Sequence, residues 1–342
     1  MSGPRTIPSS MRAAVLQEPG SVTIEERPVP RPADDEVLVR VNSVGVCGSD
    51  VHYFRRGRIG RFVVEKPIVL GHEVSGTIVD VGRDVSRDRI GERVAIEPQR
   101  PCRVCAHCTA GRYNLCPNLT FYATPPVDGA FCEYVTIHAP FAYPVPDNVS
   151  DDAAALLEPL SVGIWANRKA GIVPGSRVVI TGAGPIGVIT TQAAKAFGAA
   201  EVIVSEPNPG RREIARRFGA TRVVDPAVES VSELGVDAFI ECSGATPALT
   251  GGIQSVRGGG TVVLVGMGAD EIALPILLIQ TRELVVTGTF RYVGTWPVAI
   301  HLAATKQVDL DALVTARFDL DHTVDALDSD TRPGFLKAVV TP

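Results

Sequence analysis

Aromatic side chains are scarce: Phe, Trp and Tyr make up 6% of the 342 residues, and there are only two Trp and three Met. The 45% hydrophobic fraction is therefore carried by small and branched residues, which suits an α/β protein with Val- and Ile-rich sheets. Charge of one sign is lacking too. The formal net charge of −5 gives no electrostatic reason to expect nucleic acid or an acidic membrane as partner. Long apolar runs are absent. The best candidate, 273–279, falls far short of the roughly 18–20 residues of a membrane helix and contains Pro275. Residues 1–10 hold Pro and Ser but no apolar core of a secretory signal, so the folded part can begin near Met11. A soluble, cytoplasmic protein is expected. No internal repeat or low-complexity tract is visible.

At this length two domains are expected. Up to about Ser150, short strand-like runs (36–46, 76–81, 93–97, 131–137) alternate with Gly and Pro turns, the pattern of an antiparallel or barrel-like β domain. From Arg177 the rhythm becomes strand then helix: strands at 177–181, 201–205, 222–225, 236–241, 261–266 and 284–288, helices at 185–197, 209–218 and 247–256. That alternation predicts a doubly wound parallel sheet of order 3-2-1-4-5-6. Residues 151–168 read as a helical connection, and the tail from Gly294 leaves the pattern and is expected to return to the first domain. The expected domains are thus 1–158, 159–293 and a returning 294–342.

Gly182-Ala183-Gly184-Pro185-Ile186-Gly187 fits G-x-G-x-x-G, and it follows a strand and opens a helix, the context that gives the motif meaning. Such glycines let the backbone approach a pyrophosphate, with Pro185 and Ile186 opening the helix whose free N–H groups receive its charge. Glu206 ends the next strand, where a carboxylate can accept both ribose hydroxyls and would repel a 2′-phosphate; NAD is therefore expected rather than NADP. Arg211 and Arg212 follow on a helix face that reads as exposed, with Arg211 kept as a contact at the cofactor's edge.

Seven cysteines invite a disulfide reading, but the odd count, the length and the missing signal oppose it. Cys102, Cys105, Cys108 and Cys116 give C-x2-C-x2-C-x7-C in a loop (98–118) without a core of its own. Four thiolates suit a closed tetrahedral zinc, which would replace the missing core. Cys47 and His72-Glu73 each follow a strand, and a thiolate, an imidazole and an adjacent carboxylate look like an open catalytic zinc site. Glu158 is a fourth candidate at the expected domain junction. Zinc acidifies a bound hydroxyl, and the proton released needs a polar route, for which Ser49 is the first station and His52 a second. Taken singly, each of these residues also has an ordinary structural reading: a buried thiol, a turn histidine, a cap carboxylate or a surface side chain.

Together these residues resemble the zinc-containing medium-chain dehydrogenases and, within them, the sorbitol (polyol, L-iditol 2-) dehydrogenases. The likeness spans Met11 to Pro342. It is carried by Gly71-His72-Glu73, the cysteine lobe and the glycine motif, and more narrowly by segments 47–53, 57–60, 123–126 and 158–163, by Phe290-Arg291-Tyr292 and by Thr295-Trp296-Pro297. The resemblance implies a GroES-like catalytic domain, a Rossmann domain and a homotetramer. It implies that Cys47, His72 and Glu73 hold catalytic zinc, with Glu158 a direct ligand or acting through water. It implies two zinc ions per chain, and a polyol site lined by Tyr53, Phe121, Thr124, Arg291 and Tyr292. The rivals are a zinc dehydrogenase of the same fold acting on L-threonine, butanediol or another secondary alcohol, and a nucleotide-binding protein without catalysis.

Overall fold

The computed structural model describes residues 7–332 and 334–342. Residues 1–6, part of the segment read as lacking a secretory core, lie outside the described residues. The chain forms two compact units: Met1–Glu158 with Leu310–Pro342, and Pro159–Asp309.

In the first unit the strand Glu36–Gly45 is the axis. It is buried along most of its length, as its Val-rich run requires, and pairs antiparallel with Glu73–Val81. The sheet runs Ala142–Pro144, Arg93–Ile96, Glu73–Val81, Glu36–Gly45, Lys337–Thr341, Val314–Asp319, with Tyr134–His138 also paired to the axis strand. Its C-terminal member Lys337–Thr341 thus arrives beside the axis strand, Val339 facing Gly45 and Val340 facing Val44. A second sheet, Ser21–Pro28, Ser10–Glu18 and Ile68–Val69, shares one core with it, including Val15, Leu16, Val39, Val74, Ile78 and Phe131. Each such side chain taken fully from water stabilises the unit by about 1.5–3 kcal/mol.

The second unit is a six-stranded parallel sheet in the order Arg222–Val224, Glu201–Ser205, Arg177–Thr181, Val236–Glu241, Val256–Leu264, Val285–Gly288. Numbered along the unit this is 3-2-1-4-5-6, as the strand–helix rhythm predicts. The helix Pro185–Ala196 buries residues 187–194. One crossover departs from the rhythm: between Val224 and Val236 there is no helix, and the link instead packs Val231 and Leu234 onto the core. The expected helix at 151–168 is two, Asp151–Ala155 and Leu157–Lys169. The tail read as returning at Gly294 stays with the second unit to Asp309. Its helix Trp296–Ala304 buries Trp296, Ala299 and Leu302. Gln192 then clamps the backbone of Asp309, accepting its N–H at 2.8 Å and donating to its carbonyl at 3.3 Å. Among the described residues no helix is long and apolar enough to cross a membrane.

Candidate active site

Cys47 is the N-cap of the helix Gly48–Arg56, placed just beyond the end of the axis strand. Three residues on, Asp50 returns its carboxylate to the cap, accepting the Cys47 N–H at 3.0 Å, in a capping box. The other oxygen accepts the Gly71 N–H at 3.0 Å and lies 3.4 Å from His72 Nδ1. That last contact is close enough for attraction but is not aligned as a hydrogen bond, since Nδ1 has no hydrogen-bond partner. Burial alone would raise the pKa of Asp50, but the His72 ring and the two N–H donors bring it below the ordinary value. Burial likewise disfavours a charged His72, and Asp50 and Cys47 outweigh it, so without a metal the imidazole keeps a proton well above its ordinary range.

Ligand atoms of Cys47, His72 and Glu73 lie within 4.8 Å of one another. Glu73 is fully buried; Oε1 accepts from Lys337 Nζ at 2.6 Å, and Oε2 has no hydrogen-bond partner. An orphaned buried carboxylate oxygen beside a thiol and an imidazole is costly unless a cation completes it, and this S, N and O donor set suits zinc. Lys337 also donates to the Val46 carbonyl at 2.7 Å. Burial would lower its pKa, but Glu73, Cys47 and Glu158 hold it raised. Glu158 opens the helix Leu157–Lys169, is 5% exposed, and acts electrostatically on both Lys337 and Glu97.

The four lobe cysteines form a second cluster with all sulfurs within 4.8 Å. Separations of 4.0 Å for Cys102–Cys108 and 3.5 Å for Cys105–Cys108 match the roughly 3.8 Å edge of a tetrahedron of sulfurs about 2.3 Å from zinc. They are far from the roughly 2.05 Å of a disulfide. N–H groups of Val104 and Cys105 lower the Cys102 pKa, whereas burial raises that of Cys108. The lobe is closed at its base by the pair Gln99–Arg100 and Thr120–Phe121, and this pair brings the Phe121 ring 5.4 Å from the His72 ring. Below it, fully buried Glu97 accepts from Tyr113 Oη at 2.8 Å, Gln99 Nε2 at 3.0 Å and Tyr143 Oη at 3.2 Å. Burial pushes its pKa up to about 7 despite those donors.

The remaining first-unit candidates lie around this centre by sequence and element. Ser49, His52 and Tyr53 share the helix that Cys47 caps; Tyr53 is buried, Ser49 and His52 half-buried. Burial and then Arg56 and Arg55 lower the His52 pKa, which favours the neutral ring. Thr124 is half-buried, three residues beyond Phe121. Arg291 and Tyr292 belong to the second unit, after its last strand, where Tyr292 is fully buried and the Arg291 guanidinium sits 4.9 Å from the Phe290 ring centre.

In the second unit Gly182 turns at φ +86°, and a Cβ on Gly187 would stand 1.9 Å from the Gly182 carbonyl oxygen, so both positions demand glycine. Gly184 caps the helix and Pro185 takes its first turn, with Ile186 next. Glu206, 5% exposed, uses one oxygen for the Ala183 N–H at 2.8 Å and the other for the Asn208 N–H at 2.9 Å. It borders a cavity of about 520 Å³ whose wall includes Gly182, Arg211, Glu229 and Ser243. Arg212 is locked onto the Glu206 and Pro207 carbonyls and Asp225, whereas Arg211 is exposed at the cavity wall. A cavity of equal volume in the first unit, near Arg27 and Asp128, includes none of the candidate metal ligands in its wall.

Sequence reasoning passed over Asp50, Glu97 and Lys337. An acid three residues after a cap position signals a capping box, and a lone Lys in Leu336-Lys337-Ala338-Val339-Val340 signals a buried partner. Glu97, inside a strand end, carries no signal of its own.

Residues 33–147 match the family described as the alcohol dehydrogenase GroES-like domain, and residues 185–305 match the zinc-binding dehydrogenase family. A sorbitol dehydrogenase of Macaca fascicularis is 46% identical over 325 residues, covering 92% of this chain and 91% of that protein. One of Bacillus subtilis (strain 168) is 44% identical over 332 residues, covering 94% of each. A zinc-binding dehydrogenase of Sinorhizobium meliloti 1021, solved bound to NADP, superposes with a TM-score of 0.90 at 32% identity, covering 98% of this chain and 100% of that one.

Proposed function

This chain belongs to the zinc-containing medium-chain dehydrogenases, and from that premise we propose that it is an NAD-linked polyol dehydrogenase, oxidising a secondary hydroxyl of a sugar alcohol to the ketose. The observation that carries the chemistry is the buried Glu73 carboxylate, one oxygen of which has no hydrogen-bond partner, grouped with Cys47 and His72 so that their ligand atoms lie within 4.8 Å of one another. Cys47, His72 and Glu73 would hold the catalytic zinc, with Glu158 direct or through water, and Cys102, Cys105, Cys108 and Cys116 a structural one. When bound, zinc would supply a Lewis acid for the carbinol oxygen and NAD an acceptor for the hydride.

The chain's own residues supply the rest. The Asp50 carboxylate, 3.4 Å from Nδ1, attracts that side of the imidazole and would leave Nε2 for the metal. Ser49 and neutral His52 take the proton outward along the capped helix. Phe121 and Tyr53 wall the site, and Thr124, Arg291 and Tyr292 offer hydrogen bonds to substrate hydroxyls, Arg291 with a fork of donors. Gly182, Gly184, Pro185, Ile186 and Gly187 receive the pyrophosphate. Glu206 favours NAD, since a 2′-phosphate would meet its fixed carboxylate, and Arg211 flanks the adenosine.

A homotetramer and a cytoplasmic location complete the reading. The first is supported by the open edge strand Val285–Gly288 and by the neighbouring apolar exposure of Ile276 and Leu277. The second is supported by free cysteines at metal-site spacing. Initial rates on sorbitol, xylitol, L-arabinitol, galactitol, ribitol, L-threonine and 2,3-butanediol, each with NAD and NADP, test the proposal. Polyols with NAD should lead; preference for threonine, butanediol or NADP would overturn it.

A further inference from the structure

We infer that Lys337 is a positioning residue for the catalytic metal: its ammonium ties the segment that carries Cys47 to the carboxylate beside His72, holding Glu73 with one oxygen turned to the ligand set. The inference rests on the metal reading above. Lys337 enters from the far end of the chain, on the strand Lys337–Thr341 that pairs beside Gly45. It is 3% exposed, and its two hydrogen bonds go to Glu73 Oε1 at 2.6 Å and to the Val46 carbonyl, adjacent to Cys47, at 2.7 Å. One side chain therefore bridges the two segments on which the thiolate and the imidazole are carried.

Packing alone does not account for a lysine here. Burying an ammonium is expensive, and an aliphatic side chain of similar volume would fill the space without that cost. The charge has a use, because Cys47, Glu73 and Glu158 gather anionic character at one place and the ammonium offsets it. The backbone is fitted to the same carboxylate. A Cβ on Gly45 would stand 2.0 Å from Glu73 Oε2, so a missing side chain leaves room for one oxygen while Lys337 fixes the other. With both oxygens constrained, Glu73 is set in advance for the ion rather than ordered by it, which is how outer groups commonly raise metal affinity.

The test uses the zinc-loaded enzyme and reads metal release to a chromophoric chelator. It also reads the visible absorption of the protein with cobalt(II) in the catalytic site. Lys337→Met should release the catalytic metal about ten-fold faster or more, leave release from the cysteine lobe unchanged and shift the cobalt bands. Lys337→Arg should stay near wild type. In a Glu73→Gln background Lys337→Met should add little, since the lysine acts through that carboxylate. If Lys337→Met is recovered only unfolded, Lys337→Gln takes its place in the same measurements. Wild-type release rates and cobalt bands in the neutral variant would overturn the inference. So would equal weakening of both metal sites, which marks a mere strut of the fold. A wild-type enzyme with metal in the lobe alone would instead overturn the reading of Cys47, His72 and Glu73.

Discussion

Asp50 and His72 meet at 3.4 Å, carboxylate oxygen to Nδ1, inside a site where Asp50 has no solvent exposure at all. The same carboxylate accepts the N–H groups of Cys47 and Gly71. One acid therefore lies against the ring of one candidate metal ligand and holds the backbone of another. Asp50→Asn keeps the shape and removes the charge. It should lower catalytic-metal affinity by about 10–100-fold, with NAD affinity, followed by fluorescence titration, unchanged. Unaltered metal affinity would show that the carboxylate merely caps the helix.

The cysteine lobe leaves much of its aliphatic surface in water: Val104 is 81% exposed and Leu115 45% exposed. Cys105→Ser should therefore cost the lobe its metal and lower the melting temperature by about 5–10 °C. New protease cleavage should appear within 98–118. A variant that retains full thermal stability and resists proteolysis would contradict a structural role.

Both oxygens of Glu206 are committed to backbone N–H groups, so the carboxylate cannot swing aside for a 2′-phosphate. Glu206→Ala should raise the KM for NAD about ten-fold, a loss of about 1.4 kcal/mol, and narrow the preference over NADP. Cofactor kinetics identical to wild type would remove Glu206 from that role.

Glu97 gives a pH signature. Folding raises its pKa from an ordinary 4.5 to about 7, chiefly by burial. Below pH 4.5 the carboxyl is protonated whether folded or unfolded and costs nothing. Between pH 4.5 and 7 the unfolded chain gives up this proton while the folded one keeps it, so folding is increasingly penalised, and the loss levels off at about 3 kcal/mol as pH passes 7. Glu97→Gln should remove this, so variant and wild type should diverge in urea midpoint as pH rises from 4.5 to 8, the variant becoming the more stable. Parallel curves would refute the burial account.

The parallel sheet was legible because its inner strands are buried on both faces and read as short Val- and Ile-rich runs such as Arg177–Thr181, punctuated by glycine turns. The ligand clusters were legible because sulfur and imidazole at such spacings have few other uses. Relationships closed by distant chain were not. Lys337 reaches Glu73 across 264 positions, and no local pattern announces a pairing of that range. The helix Trp296–Ala304 is apolar enough to pack on either unit, so its membership depends on tertiary contacts such as Gln192 with Asp309. The short helix Ile276–Thr281 escaped notice because six residues are too few to display a helical period.

The most direct test is zinc stoichiometry in Cys47→Ala, measured by elemental analysis beside turnover and NAD binding. The account predicts two zinc ions per wild-type chain and one in the variant, with polyol oxidation abolished and NAD still bound. A variant that keeps both ions, or that still oxidises polyol at the wild-type rate, would contradict it.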